Sequence, residues 1–211
     1  MEPIETISGK AGLEARIYQD EDPESPREWD NLGKIATVHL SRYSFAGAGE
    51  ASLPDYLVGG VLDSHPRGWD AVEQYLRRER NAAVILPLYL YDHSVQSIST
   101  RSFLGRAQHA SWDSGQVGFI YATRAAILKE YSVTRITAGT KAKVIKVLEG
   151  EIETFNQYIS GDVFGYQIVK PCPTCGQENS DVLDSCWGFY GLDYARKEAT
   201  SALEAAAKEK A

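Results

Sequence analysis

The chain has 211 residues, of which 43% are hydrophobic and 24% charged. This composition excludes a disordered or fibrous protein, and the length allows a sizeable core without disulfides. No apolar run approaches the roughly 20 residues that cross a bilayer, and residues 1–20 lack the basic start and apolar stretch of a secretory signal. We therefore expect a cytoplasmic protein with no membrane partner.

In the first half of the chain, short predicted strands alternate with polar or glycine-rich connections. Strands over 14–19 and 34–40 flank the acidic loop DEDPESPREWDN, and residues 44–68 form a long connection with short helical turns. The apolar spacing after Gly68 predicts a helix over 69–81. The apolar run AAVILPLYLYD then predicts a central strand, which needs an edge or a bulge at Pro87, and residues 94–100 return beside it.

The second half begins with a predicted buried strand over 114–123, whose last residue, Thr123, caps a short helix. Thr140 is predicted to cap a long amphipathic helix over 141–160, and Gly161 to end it. Two paired strands and a terminal helix complete the chain, over 162–170, 180–186 and 193–211.

The clustered order of these elements predicts an α+β fold with a mixed, largely antiparallel sheet, three to four helices and a small cysteine knuckle near the C-terminal end. We expect one domain over 1–211. Disorder is expected within 1–13, and the helical tail over 204–211 should fray.

All three cysteines lie in the segment KPCPTCGQENSDVLDSCWGFYG. The CPTCG turn aims the thiolates of Cys172 and Cys175 at one point, which is typical of a zinc knuckle, and Cys186 can return on the paired strand as a third ligand. A redox motif and plain structural cysteines are the alternatives. We predict a structural Zn²⁺ held by the three cysteines and His93, with His109, Asp181 and Asp184 as other candidates for the fourth ligand.

The negative charge is concentrated near the start of the chain. The net charge is −7, and residues 1–32 hold nine acidic and three basic side chains. This end should repel nucleic-acid phosphate, so direct nucleic-acid binding is not expected, and it should attract a basic protein partner. Calcium binding is a weaker alternative, because Ser25 and Asn31 stand where an EF-hand loop needs glycine and glutamate. The predicted partner-binding residues are Asp20, Glu21, Asp22, Glu24, Glu28 and Asp30.

Two short motifs, YDHS and WDSG, lie at predicted strand ends and offer Asp92, His93, Asp113 and Ser114. These residue types suit nucleophilic or acid–base catalysis, but only if the two strand ends meet, since neighbours on one strand point to opposite faces. A gap above about 7 Å between the side chains of His93 and Asp113 would exclude direct or water-bridged proton transfer. Turn formation is the alternative use of these residues.

Five segments carry a resemblance: IYQDEDPESPREWDN, LPLYLYDHS, WDSGQVGFIY, GDVFGY and DSCWGFYG. In this order the sequence resembles a family of proteins encoded by bacteriophages, prophages and related mobile elements, from about Arg16 to Tyr194. The family has no established common activity. The resemblance implies a setting in which small acidic proteins antagonise host defences, such as restriction or CRISPR nucleases.

These observations favour a non-enzymatic accessory protein in the cytoplasm of a bacterial host. Its acidic surface would bind and inhibit a defence nuclease, or a nucleoprotein complex with a basic surface, as an anti-CRISPR or anti-restriction factor does. The first alternative is a hydrolase or nucleotide-processing enzyme that uses Asp92, His93, Asp113 and Ser114. The second is a structural or assembly protein of the virion, which predicts self-association.

Overall fold

The structure is a computed structural model that describes residues 2–38, 53–62, 67–171 and 182–209. The chain folds into two compact units. The first unit combines the two ends of the chain, residues 1–24 and 161–211, and the second comprises Ser25–Ser160. The expectation that the chain forms one domain stays a prediction.

The first unit is an antiparallel sheet with one helix packed on it. The strand order is β1-β2-β7-β8, and the strands span Glu5–Ser8, Glu14–Gln19, Val163–Val169 and Val182–Tyr190. Helix α6, Leu192–Glu209, buries Ala195, Ala199 and Leu203 against Ile17 and Ile168 of the central strands. Small alanines on the buried face of the helix allow it to approach the sheet closely, while Lys and Glu occupy its outer positions.

The second unit contains another antiparallel sheet, in the order β3-β6-β4-β5. Its strands span Lys34–Thr37, Ser114–Thr123, Ala82–Asp92 and Gln96–Ser99. The pairing of β4 with β6 is irregular at two points. Ala82 pairs with Thr123 but Val84 with Ala122, so Ala83 is an extra residue in β4; Leu88 pairs with Gly118 but Tyr89 with Gln116, so Val117 is an extra residue in β6. The second β-bulge lies just before the strand ends that carry YDHS and WDSG.

Helices cover both faces of this second sheet. On one face, α5 (Ala138–Ile159) packs Val144, Leu148, Ile152 and Phe155 into the largest core cluster, together with Ile127 of α4 (Arg124–Glu130). On the other face, α1 (Asp55–Leu62) and α2 (Gly68–Glu79) bury Leu57, Val61, Val72 and Leu76. Because both faces are covered, β4 and β6 are nearly continuous apolar runs. A single turn of helix, α3 (Ala110–Asp113), precedes β6.

The α+β class and the antiparallel pairing are confirmed, and three details differ from expectation. The strands form two sheets instead of one, and the described residues contain six α-helices instead of three to four. The cap of α5 is Thr137, whose hydroxyl accepts the N–H of Thr140 at 3.1 Å. Pro87 lies in β4 outside the stretch Tyr89–Asp92 that pairs with β5, so β4 is paired only with β6 at this position.

Regular elements lie near both ends of the described chain, and the expected disorder within 1–13 and fraying over 204–211 stay predictions. Residues 1–13 include β1, which pairs with β2 from Glu5↔Ile17 to Ser8↔Glu14. At the other end, α6 continues to Glu209. Within the described part of the chain, no helix has the length and apolar content that crossing a membrane requires.

Candidate functional site

The antiparallel pairing of β4 and β6 brings the two predicted motifs together at one end of the second sheet. Tyr91 is the register partner of Ser114, so YDHS and WDSG are adjacent. Nδ1 of His93 lies 2.9 Å from Oδ2 of Asp113, a hydrogen-bonded pair 20 residues apart in sequence. The separation is far below the 7 Å limit, so direct proton exchange between them is geometrically possible.

The His93–Asp113 pair is open to solvent on its histidine side. The His93 side chain is 48% exposed and that of Asp113 only 24%. Because the carboxylate accepts at Nδ1, it favours the tautomer with the proton on that nitrogen. Nε2 is then left with a lone pair and has no hydrogen-bond partner among the described residues. A carboxylate-oriented imidazole with a free Nε2 is the arrangement of a general base.

A second imidazole lies beside the first. The rings of His93 and His109 are 6.0 Å apart between centroids. His109 has a left-handed backbone conformation, φ 55°, which is uncommon for a residue with a side chain. Its carbonyl accepts the N–H groups of Trp112 and Asp113 at 2.8 and 3.1 Å, so the same residue holds the backbone of Asp113 in place.

An aromatic stack packs against the imidazole of His93. The ring of Tyr91 lies 6.0 Å from that of His93 and 5.5 Å from that of Phe103, in both cases nearly parallel. The Tyr91 hydroxyl donates to the carbonyl of Gln108 at 3.0 Å, which ties the loop before α3 to β4. The guanidinium of Arg106 then lies over the outer side of Phe103, 5.8 Å from its centroid.

The other two residues of the predicted catalytic set have local partners. The hydroxyl of Ser114 donates to the carbonyl of Ala110 at 2.5 Å, and no hydrogen bond between described residues joins it to His93. Asp92 accepts a hydrogen bond from Gln96 at 3.3 Å across the β4–β5 hairpin. The structure therefore places His93 and Asp113 together, and leaves Ser114 and Asp92 in turn-forming contacts.

The predicted zinc ligands are only partly described. Cys172, Cys175 and Asp181 lie outside the described residues. Cys186 is exposed on β8, two residues from Asp184 on the same face of the strand. His93 is paired with Asp113 in the second unit. Between the described residues there is no group of three or more His, Cys, Asp or Glu side chains placed to hold a metal.

The predicted acidic surface is divided between the two units. Glu21, Asp22 and Glu24 are exposed in the first unit, where Asp20 turns its carboxylate to the N–H of Asp22 at 3.2 Å. Glu28 and Asp30 are exposed in the second unit. None of these six carboxylates forms an ion pair with a residue that the structure describes.

Sequence reasoning missed a polar cleft of about 490 Å³ near this site, between β5 with its following loop and α5. Arg101 and Arg106 line it from the loop, and Glu149 and Glu153 from the helix. The signal available was weak: two arginines around Phe103 in RSFLGR, a segment with neither helical nor strand periodicity.

Comparison with known proteins found no match: no protein-family model, curated protein or solved structure is similar to this chain.

Proposed function

We propose that the protein is a hydrolase in which His93 is the general base and Asp113 the residue that positions it. The single observation that carries this proposal is the 2.9 Å contact between Nδ1 of His93 and Oδ2 of Asp113 at an exposed strand end. Asp113 holds the imidazole in one orientation and stabilises the imidazolium that forms when Nε2 takes a proton.

The nucleophile in this mechanism is water. Nε2 of His93 removes a proton from a water molecule, and the resulting hydroxide attacks the electrophilic centre of the substrate. The hydroxyl of Ser114 donates to the carbonyl of Ala110 and not to His93, so the proposed mechanism does not use Ser114 as the nucleophile. His109, whose ring lies 6.0 Å from that of His93, is a second imidazole at the site and can, in its protonated form, donate a proton to the leaving group.

The test compares H93Q and D113N with wild type on chromogenic carboxylic and phosphate esters. General-base catalysis contributes roughly 10²–10⁴ in rate, so H93Q should lose at least about 10²-fold in kcat. D113N should lose activity through the wrong tautomer while keeping KM nearly unchanged. D70N is the matched control, since Asp70 is an exposed aspartate in the first turn of α2. A wild type without hydrolase activity, or an H93Q variant as active as D70N, would contradict the proposal.

A second proposal is supported by the unpaired acidic residues. Exposed carboxylates without an ion-pair partner among the described residues can attract a basic groove that normally binds phosphate. Together with the resemblance to mobile-element proteins, this favours a role as an inhibitor of a host defence nuclease in the bacterial cytoplasm. Such a role does not require the His93 site.

Charge reversal tests this second proposal. Replacing Asp20, Glu21, Asp22 and Glu24 by lysine should abolish inhibition of a cognate restriction or CRISPR nuclease and leave the circular dichroism spectrum unchanged. The control reverses four exposed acids on other elements: Asp55, Asp70, Glu79 and Glu130. If inhibition survives the four lysine replacements at residues 20–24, or if the control reversals abolish it equally, inhibition does not depend on a local acidic surface.

A structural Zn²⁺ at Cys172, Cys175 and Cys186 is compatible with both proposals, since its role would be to stabilise the fold and not to take part in catalysis or inhibition. The shared face of Asp184 and Cys186 on β8 supports Asp184 as the local fourth ligand more than His93. Elemental analysis tests this: the wild type should contain about one zinc per chain, and the C172S and C186S variants should lose it.

A further inference from the structure

Five planar groups form a continuous ladder from the cleft to the His93 site. Arg106 lies over Phe103, Phe103 stacks with Tyr91, Tyr91 with His93, and His93 adjoins His109, with successive separations of 5.8, 5.5, 6.0 and 6.0 Å. Phe103 and Arg106 belong at the same time to the wall of the cleft. A ligand held against Phe103 in the cleft is therefore separated from the His93 imidazole by two rings, those of Phe103 and Tyr91.

The cleft has the size and the built floor of a small-molecule site. Its volume of about 490 Å³ falls in the range of roughly 300–1,000 Å³ that is usual for ligand pockets. Its floor is fixed by the N–H of Ile98, which donates to the side-chain carbonyl of Asn156 on α5 at 2.8 Å. β5 and α5 are thereby held apart at a constant spacing.

Charges of opposite sign face each other across this cleft. The loop side carries two guanidinium groups and three hydroxyls, from Arg101, Arg106, Ser97, Ser99 and Thr100, and the helix side carries the carboxylates of Glu149 and Glu153. Arg101 and Glu149 approach each other at 3.7 Å. Arg106 has no carboxylate partner and Glu153 has no cationic partner among the described residues.

We propose that the cleft binds a phosphate ester that also carries an amino group. This inference goes beyond the proposed hydrolase function and does not depend on it. Guanidinium groups and hydroxyls offer more donors than the two oxygens of a carboxylate can accept, whereas a phosphate accepts with three oxygens. The unpaired Glu153 then accepts from the amino group, as carboxylates accept from the exocyclic amine of cytosine.

Binding can be measured without turnover, by calorimetry on the full chain. The ligands are inorganic phosphate, uridine 5′-monophosphate, cytidine 5′-monophosphate and O-phosphoethanolamine. Cytidine monophosphate should bind more tightly than uridine monophosphate if the source of the amine is a nucleobase. O-phosphoethanolamine should bind more tightly than inorganic phosphate if it is an alkylamine.

Two substitutions separate the two halves of the cleft. R106Q should weaken binding of the preferred ligand roughly ten-fold, the usual effect of losing a charge-assisted hydrogen bond. E153Q should remove the preference for the amine-bearing ligand and leave the affinity for inorganic phosphate unchanged or higher. R135Q and E79Q are the matched controls, because both residues are exposed on the same unit and outside the cleft.

The outcomes distinguish this inference from the catalytic proposal. Absence of binding, binding that survives R106Q, or equal affinity for ligands with and without an amine overturns the cleft proposal, whatever the hydrolase assays give. Binding that is intact in H93Q supports the cleft proposal, because the cleft does not include His93. Binding in a wild type that hydrolyses none of the esters counts against the catalytic proposal alone.

Discussion

At the scale of single residues, the candidate site depends on a strained histidine. His109 keeps a φ of 55° although the left-handed region costs a residue with a side chain roughly 1–2 kcal/mol. Such strain persists where the surroundings enforce it, often at functional sites. Here the enforcing contacts are the two N–H groups of α3 that the His109 carbonyl accepts.

Replacing His109 separates its backbone role from its imidazole. H109G should be more stable than H109A by about 1 kcal/mol, because glycine adopts this conformation without the steric cost. Both variants should lose the same share of hydrolase activity, since both lack the second ring. Urea unfolding and ester hydrolysis measure the two effects. Equal stability of the two variants would show that the backbone at 109 is not strained in solution.

The chemistry of these residues can be predicted from the sequence, but their contacts cannot. Apolar runs alone are enough to place YDHS and WDSG at strand ends. That His93 meets Asp113, while Ser114 turns back to Ala110, depends on the pairing of β4 with β6 and on the αL turn at His109. Neither the strand pairing nor the left-handed turn can be predicted from the spacing of apolar residues.

At the scale of elements, one carboxylate holds the loop before β3 onto α5. Glu151 accepts the N–H groups of Leu32 at 2.8 Å and of Gly33 at 3.1 Å, and a guanidinium N–H of Arg27 at 3.3 Å. A Cβ at Gly33 would lie 2.6 Å from the Leu148 side chain and 2.7 Å from that of Ile120, both in the buried core. The loop can therefore approach α5 only because residue 33 is glycine.

Breaking this attachment should lower the free energy of unfolding. E151A leaves two part-buried N–H groups without their acceptor and removes one of the hydrogen bonds of Arg27, which costs about 1–3 kcal/mol. G33A should cost a similar amount by forcing buried side chains to move. E153A, two residues along the same helix but exposed, should stay within about 0.5 kcal/mol of wild type. Denaturant unfolding gives the three values, and a neutral E151A would refute the assigned role.

Element boundaries are largely readable because the strands and helices of the second unit have strong patterns. The predicted strands over 82–92 and 114–123 coincide with β4 and β6. The predicted cap of α5 is wrong by one turn, since Thr137 and Thr140 are both plausible caps three residues apart. The short strand β1 escapes prediction because a four-residue strand with three polar side chains carries little signal.

At the scale of the whole molecule, the first unit is closed by residues from the two ends of the chain. Arg196 of α6 binds the carboxylate of Glu5 on β1 through two N–H groups, at 3.0 and 2.9 Å, across 191 positions of sequence. This hydrogen bonding holds the pKa of Glu5 below its ordinary value of 4.5. Because the contact partners are so far apart in sequence, no local pattern predicts the division into two sheets.

The Glu5–Arg196 pair has a defined pH dependence. A carboxylate with a lowered pKa in the folded state stabilises the fold above its unfolded pKa, near 4.5, and this contribution disappears as the pH falls through the lower folded value. E5Q should therefore melt at a lower temperature than wild type at pH 7. The difference should shrink on acidification to about pH 3. E2Q is the control, because Glu2 is exposed and forms no ion pair within the described residues. A constant difference between E5Q and wild type at all pH values would contradict the assignment.

The extra residue Val117 in β6 determines which residue of WDSG pairs with which residue of YDHS. With an unbroken ladder beyond Leu88↔Gly118, Tyr91 would face Gly115 instead of Ser114, and the whole WDSG segment would be displaced by one position relative to YDHS. Deletion of Val117 would thus leave every residue of the candidate site in the sequence, but would shift the WDSG residues away from the YDHS residues they now face. In related chains, the number of residues between the apolar run of β6 and WDSG should consequently vary less than the residues themselves.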